Sequence, residues 1–371
     1  MKTEAAVLWE LHGEWKVQEV DLGEPVEGEV RVRLAASGIC HTDDHIVTGD
    51  LAQPLPAIGG HEGAGVVEAV GPNVKDLEPG DHVVLVYIPA CGRCESCAKG
   101  LSNLCDRGGA RREGRALADG TCRFTADGHD VTTICLLGTF ARHTVVHESQ
   151  VLKIAGDIPL VQAALVGCGV TAGFGAAVNT AEVRAGDTVA VVGVGGLGAA
   201  AIQGARIAGA RYIVAIDPVA IKRDLAPRFG ATHAVATFEE AERLIREISW
   251  GRMANAAILT TDLAYGKYLG PTLSLVGKHG KVAVVSVAPA GQVDADLSLA
   301  DLTFYEKQVR GALYGSASPR AGIPRVLDLY RTGHLLLDEM ITKRYELSDI
   351  NQAFADMKSG TNVRGVVVYD D

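Results

Sequence analysis

No stretch of the 371-residue chain holds the roughly 18 consecutive apolar residues that a membrane-crossing helix needs. The segment Met1 to Leu8 lacks the charged-then-apolar order of a secretory signal. The chain therefore reads as soluble and cytoplasmic. Positive charge is in short supply: 35 Lys and Arg stand against 45 Asp and Glu, a net charge of −10. That argues against a nucleic-acid binder, which would usually show a basic domain or stripe, while leaving room for a local basic pocket for a phosphate. Neither a nucleic acid nor a membrane is expected as a partner. Solenoid-period repeats and low-complexity linkers are also absent.

What is present is ordinary in bulk, with 47% hydrophobic and 22% charged residues. A chain of this length is expected to form two to three domains at about 150 residues each. It can bury a large core without disulfides. Two residue types stand out. Glycine is plentiful at 44, and four of the eight cysteines lie between Cys91 and Cys105.

The first 150 or so residues are rich in short β-branched runs, Glu29–Ala36, Ala64–Val70 and His82–Tyr87, separated by Gly/Pro/Asn/Asp turn signals. The stretch Asp106–Leu137 reads as one long irregular segment, a kind that is usually functional or interface-forming. From Thr188 the texture changes to alternation. Expected strands are Thr188–Val192, Tyr212–Ile216, Ala234–Ala236, Ala256–Thr260 and Lys281–Val287. Expected helices are Leu197–Ala208, Val219–Phe229, Phe238–Ile248 and Leu263–Val276. Such alternation predicts an α/β fold with a doubly wound parallel sheet.

Between the first strand and helix of that region lies Gly193-Val194-Gly195-Gly196-Leu197-Gly198. The pattern G-x-G-x-x-G is weak alone. After a buried strand and before a helix it is a dinucleotide-binding fingerprint. Its first glycine makes the turn, the second admits a pyrophosphate, and the third lets helix and strand pack closely. Asp217 ends the second strand, where a carboxylate accepts from ribose hydroxyls and repels a 2′-phosphate, favouring NAD over NADP. Lys222 lies one helical turn beyond, within reach of the same ribose.

Cys91-x2-Cys94-x2-Cys97-x7-Cys105 supplies four sulfurs. Four thiolates close a tetrahedral zinc and leave no position for substrate, which makes a structural site. Free or redox-active thiols and an iron–sulfur centre use related spacings. Cys40, His61 and Cys168 form a possible second metal set. They are far apart in sequence, and on spacing alone such lone Cys and His are more often core residues than ligands.

Several motifs together decide between these readings. They are Gly38-Ile39-Cys40-His41-Thr42-Asp43-Asp44-His45, Gly60-His61-Glu62-Gly63-Ala64-Gly65, the four-cysteine run, Gly167-Cys168-Gly169, the glycine fingerprint and Phe229-Gly230-Ala231-Thr232. The chain resembles the zinc-dependent medium-chain alcohol dehydrogenases over essentially its whole length. Within them it is most similar to bacterial nicotinoproteins assayed with N,N-dimethyl-4-nitrosoaniline. Ala215-Ile216-Asp217-Pro218-Val219 and Gly311-Ala312-Leu313-Tyr314-Gly315 carry that closer likeness.

The resemblance implies a Rossmann domain over residues 170–313. It also implies a β-rich, partly open-barrel (GroES-like) catalytic domain from residues 1–169 and 314–371, with zinc and nicotinamide in the cleft between the domains. It implies two zinc ions per chain and an NAD that is tightly held. Cys40, His61 and Cys168 would hold the catalytic zinc, and Cys91, Cys94, Cys97 and Cys105 the structural one. The expected reaction is hydride exchange between a primary or secondary alcohol or aldehyde and NAD. A mycothiol- or glutathione-dependent formaldehyde dehydrogenase is the alternative.

By the same resemblance Thr42 takes the alcohol proton, which passes by the nicotinamide ribose to His45. Asp43 orients His61, and Glu62 stands beside the metal. His41 and Arg364 match pyrophosphate contacts, while Leu51 and Tyr87 match the substrate-pocket wall. A homodimer or homotetramer is expected, with Leu299–Tyr314 as the candidate interface. Two departures from the family pattern are Thr261-Asp262, where relatives usually have a glycine-containing turn, and Pro227 inside a helix.

Overall fold

The computed structural model describes residues 1–289 and 291–369. The chain divides into two compact units. One comprises Met1–Cys168, Ser318–Thr332 and Leu337–Asp371, and the other Gly169–Ala317 and Gly333–Leu336. No single helix among the described residues is long and apolar enough to cross a membrane.

The second unit is built on a six-stranded sheet in which every strand pair is parallel. Its strands are Thr188–Val192, Tyr212–Ile216, His233–Val235, Ala254–Leu259, Val276–Val284 and Gln308–Gly311. Taken in chain order they lie as 3-2-1-4-5-6 across the sheet, the doubly wound Rossmann order. The first strand is buried at every position, which explains its unbroken apolar sequence. Two sequence expectations shift here. The helix expected over Leu263–Val276 spans only Gly266–Ser274, and the next strand begins at Val276 rather than Lys281. Val276 pairs with Ala254, so the chain passes almost directly from helix to sheet, a junction with no turn signal to mark it.

The first unit holds a closed five-stranded barrel formed by Lys2–Leu8, Lys16–Leu22, Phe124–Ala126, His129–Thr133 and Ala57–Ile58. Val7, Leu22, Ile58, Phe124 and Val131 fill its core. A seven-stranded sheet completes the unit and includes Glu29–Gly38, Gly63–Val70, His82–Leu85 and Arg364–Val368. The segment Asp106–Leu137 is only partly irregular. Its second half supplies the Phe124–Ala126/His129–Thr133 hairpin, two strands of the barrel. These strands are three and five residues long, too short for period-2 alternation to declare them.

Candidate active site

Glu29–Gly38 ends where Ile39 donates its N–H to Gly365 O at 3.0 Å. Cys40 then adopts extended geometry and caps the helix His41–Val47. The sulfur thus stands at a strand-to-helix elbow, and the helix places Asp43 of its first turn and His45 of its last in the interior. His61 follows Gly60, whose φ of +86° lies in the left-handed region that favours glycine. A Cβ at Gly60 would come within 2.5 Å of Thr139 Oγ1, so no other residue suits this turn. Cys168 arrives from a third element, directly after the turn Leu165–Gly167.

These pieces converge. One donor atom each from Cys40, His61, Glu62 and Cys168 lies within 4.8 Å of all the others. His61 Nδ1 is 3.2 Å from Asp43 Oδ1, which also accepts Gly60 N–H at 2.9 Å. His61 Nε2 is buried with no hydrogen-bond partner, the state of a ring nitrogen kept for a metal. Burial alone would lower the His61 imidazole, but the charges of Asp43 and Cys40 outweigh it and hold its pKa well above the ordinary value. A hydrogen bond from Cys168, helped by His61 and Arg364 against the effect of burial, holds the Cys40 thiol well below its usual range. The same contact, with burial, holds the Cys168 thiol well above its usual range, and two sulfurs with an imidazole make a donor set that suits a soft cation.

Glu62 is fully buried and pairs with Arg364 Nη2 from the far end of the chain. Arg364 Nε has no hydrogen-bond partner. Thr42 Oγ1 lies 3.7 Å from the Cys40 sulfur. His45 Nδ1 lies 3.5 Å from Asp50 Oδ2, and the His41 and His45 rings are 6.4 Å apart. Tyr87 meets the His61 ring edge-on with centroids 6.0 Å apart. Leu51 closes the same helix region through its N–H to His45 O at 2.9 Å.

The four-cysteine lobe is equally well formed. Cys91 and Cys97 sulfurs are 4.0 Å apart and Cys94 and Cys105 3.8 Å. Four Zn–S bonds of about 2.3 Å define a tetrahedron with edges of about 3.8 Å. The sulfurs are far beyond disulfide bonding distance, and all eight cysteines are free. Against the upward push of burial, the amides of Arg93 and Cys94 and neighbouring thiols lower the Cys91 thiol to about 6.

In the second unit Gly193 turns with φ +93°, and Thr260 Oγ1 donates to its carbonyl at 2.7 Å. A Cβ on Gly198 would strike Gly193 O at 1.9 Å, which accounts for the third glycine. A Cβ on Gly195 would meet nothing within 4 Å, leaving room for a pyrophosphate at the start of the helix Gly196–Ile207. Gly196 and Leu197 form the first turn of that helix. Asp217 is buried; its two oxygens accept Val194 N–H at 2.8 Å and Val219 N–H at 2.9 Å. Lys222 lies in the helix Ala220–Phe229, which also contains Pro227 near its C-terminal end. The glycine cradle, helix N-terminus and carboxylate fit a dinucleotide.

Four contributors had no assigned role in the sequence reading: Asp50 beside His45, Thr260 beside Gly193, Arg223 and Arg111. Arg223 Nη1 donates to Asp217 O and Pro218 O, both at 2.8 Å. Arg111 Cζ sits 5.8 Å from the Tyr87 ring centre. All four depend on contacts that spacing does not encode.

Comparison with known proteins places this geometry in a family. The alcohol dehydrogenase GroES-like domain matches residues 26–156, and the zinc-binding dehydrogenase domain matches residues 196–332. The chain belongs to the zinc-dependent medium-chain alcohol dehydrogenases. Alcohol dehydrogenase B of Mycobacterium tuberculosis is 45% identical, covering 100% of this chain and 99% of its own. The NDMA-dependent alcohol dehydrogenase of Amycolatopsis methanolica is 44% identical at 100% and 99% coverage. Among solved structures, benzyl alcohol dehydrogenase of Acinetobacter calcoaceticus superposes with a TM-score of 0.93 at 31% identity, covering 100% of both chains. An alcohol dehydrogenase zinc-binding domain protein from Burkholderia ambifaria reaches 0.94 at 35%, again with 100% coverage of both. The protein is an alcohol dehydrogenase, an oxidoreductase of small alcohols that uses zinc and a nicotinamide cofactor.

Proposed function

We propose that the chain oxidises primary or secondary alcohols reversibly to the carbonyl compound, using an NAD that stays bound between turnovers. One observation carries the reading: Cys40, His61 and Cys168 converge with their donor atoms within 4.8 Å, and Asp43 fixes the imidazole. Support for a retained cofactor comes from the NDMA-dependent relative and from the nicotinoprotein-like motifs around Asp217 and Tyr314. Asp217 at the end of the second parallel strand favours NAD over NADP.

In this reading Cys40, His61 and Cys168 hold the catalytic zinc, and the cysteines at 91, 94, 97 and 105 hold a second, structural zinc. When bound, the catalytic ion supplies Lewis acidity at the alcohol oxygen, and the nicotinamide supplies the hydride acceptor. The residues of the chain manage the proton and the geometry. Thr42 Oγ1 accepts the alcohol proton, and His45, one helical turn on, passes it toward solvent with Asp50 beside its Nδ1. Asp43 keeps the proton of His61 on Nδ1, leaving Nε2 as the donor atom. Glu62, neutralised by Arg364, stands as a further oxygen donor in the cluster. His41 and Arg364 would contact the cofactor phosphates. Gly193, Gly195, Gly196, Leu197 and Gly198 would cradle them, with Asp217 and Lys222 at the ribose. Leu51 and Tyr87 would form the substrate wall.

The unit containing the metal donors thus acts as the catalytic domain (residues 1–169 and 314–371), and residues 170–313 as the NAD domain. We also place the protein in the cytoplasm as a homodimer or homotetramer. The edge strand Gln308–Gly311 pairs on one side with Val276–Val284, and exposed Leu299, Phe304, Tyr305, Val309 and Leu313 surround it. A second copy covering Leu299–Tyr314 would remove that exposed apolar edge.

The test is benzyl alcohol oxidation by freshly purified protein with N,N-dimethyl-4-nitrosoaniline, without added NAD or thiol. Turnover that survives dialysis, together with an NAD(H) absorbance that bleaches on adding aldehyde, is expected. Activity only with added NAD contradicts the retained cofactor. Activity only with a thiol favours the formaldehyde dehydrogenase.

A further inference from the structure

Arg111 belongs to the short helical stretch Asp106–Arg112 that follows the four-cysteine lobe. Its Nε donates to Gly108 O at 2.8 Å, which fixes the plane of the guanidinium. The head group then lies over the Tyr87 ring, with Cζ 5.8 Å from the centroid. Tyr87 is 8% exposed and touches the His61 ring edge-on at 6.0 Å. Together these two distances leave at most about 12 Å between the Arg111 charge and the metal-facing imidazole. The charge also reaches the interior, since burial pushes the Cys135 thiol up while His61 and Arg111 both pull it down. Arg111 forms no ion pair with a carboxylate among the described residues, and its terminal nitrogens keep their donors for another partner.

A fixed guanidinium with spare donors, set over the Tyr87 ring beside the metal-donor cluster, is suited to hold a carboxylate in a bidentate fashion. From this arrangement we propose that Arg111 is a specificity-determining residue that selects alcohols bearing a carboxylate, such as ring-substituted hydroxymethyl acids. The proposal rests on the alcohol dehydrogenase reading and adds the substrate class to it. A para-carboxylate on benzyl alcohol lies one benzene ring from the reacting carbon, a span smaller than the upper limit of about 12 Å between Arg111 and His61.

The experiment compares 4-(hydroxymethyl)benzoate with benzyl alcohol at pH 7.5, in wild type, Arg111→Gln and Arg111→Lys. Wild type should give the higher kcat/KM with the carboxylate. Arg111→Gln should lower the carboxylate-to-neutral ratio by about tenfold or more, and Arg111→Lys should fall between them. The wild-type ratio should shrink as ionic strength rises, because the contact is a charge pair on a partly exposed arginine; loss of a merely structural arginine would leave that salt dependence in place. An unchanged ratio in Arg111→Gln overturns the proposal. Failure of wild type to oxidise either alcohol overturns the alcohol reading itself, and the proposal with it.

Discussion

His61 Nδ1 and Asp43 Oδ1 face each other at 3.2 Å, with both side chains sealed from solvent at 1% and 0% exposure. The contact ties the helix His41–Val47 to the segment carrying His61, and so fixes the metal-facing nitrogen. Asp43→Asn keeps an oxygen for Gly60 N–H but removes the charge. Zinc affinity or turnover should fall about 10–100-fold. Asp43→Ala also strands two buried donors and should cost a further 1–3 kcal/mol of stability, roughly. Zinc titration and urea unfolding of both variants check this.

The four-cysteine lobe should carry its own metal. Cys97 is the most enclosed in its short helix, and its N–H points at the Cys94 sulfur at 3.4 Å. Cys97→Ser is expected to reduce zinc from two ions per chain to one and to lower Tm by about 5 °C or more. Metal analysis beside calorimetry reads both. Two zinc ions in the variant would contradict the assignment.

Asp217 braces the glycine turn through Val194 N–H, and in the proposed reading it also sets cofactor choice. Asp217→Asn isolates the charge. It should weaken NAD binding about tenfold and raise the NADP-to-NAD ratio of kcat/KM. A ratio that does not move would remove Asp217 from the ribose.

Acid sensitivity should have one identifiable source in His147. Burial, then Arg107 and Arg93, push its pKa down to about 4. Its Nδ1 accepts Ser149 N–H at 3.1 Å, and Arg107 Nη1 stands 3.3 Å from Nε2, so an added proton meets donors on both sides. Because the folded value lies below the unfolded one of about 6.5, the contribution is complete above that pH. It is lost as pH falls toward 4, when only the unfolded chain takes up the proton. Between pH 7 and 5 the loss should be about 1 kcal/mol after allowance for partial solvent exposure. Urea unfolding of His147→Gln should show a correspondingly shallower decline.

The legible parts of the molecule are those whose physics is local. Thr188–Val192 and Tyr212–Ile216 end where the sequence predicts, because a strand buried on both faces is an uninterrupted apolar run. The hairpin at residues 124–133 was hidden, since its strands are too short to display a period. Motif resemblance supplied the metal donors, but spacing did not, because His61 and Cys168 meet only through tertiary packing. The same is true of the Glu62–Arg364 pair, separated by 302 positions, and of Arg111 over Tyr87.

The most direct test of the account is His61→Ala, assayed for zinc content, NAD content and alcohol turnover in one preparation. Loss of one zinc per chain and of all measurable turnover is expected, with NAD still bound, since Gly193–Gly198 and Asp217 are untouched. Turnover at the wild-type rate from protein lacking that zinc would contradict it.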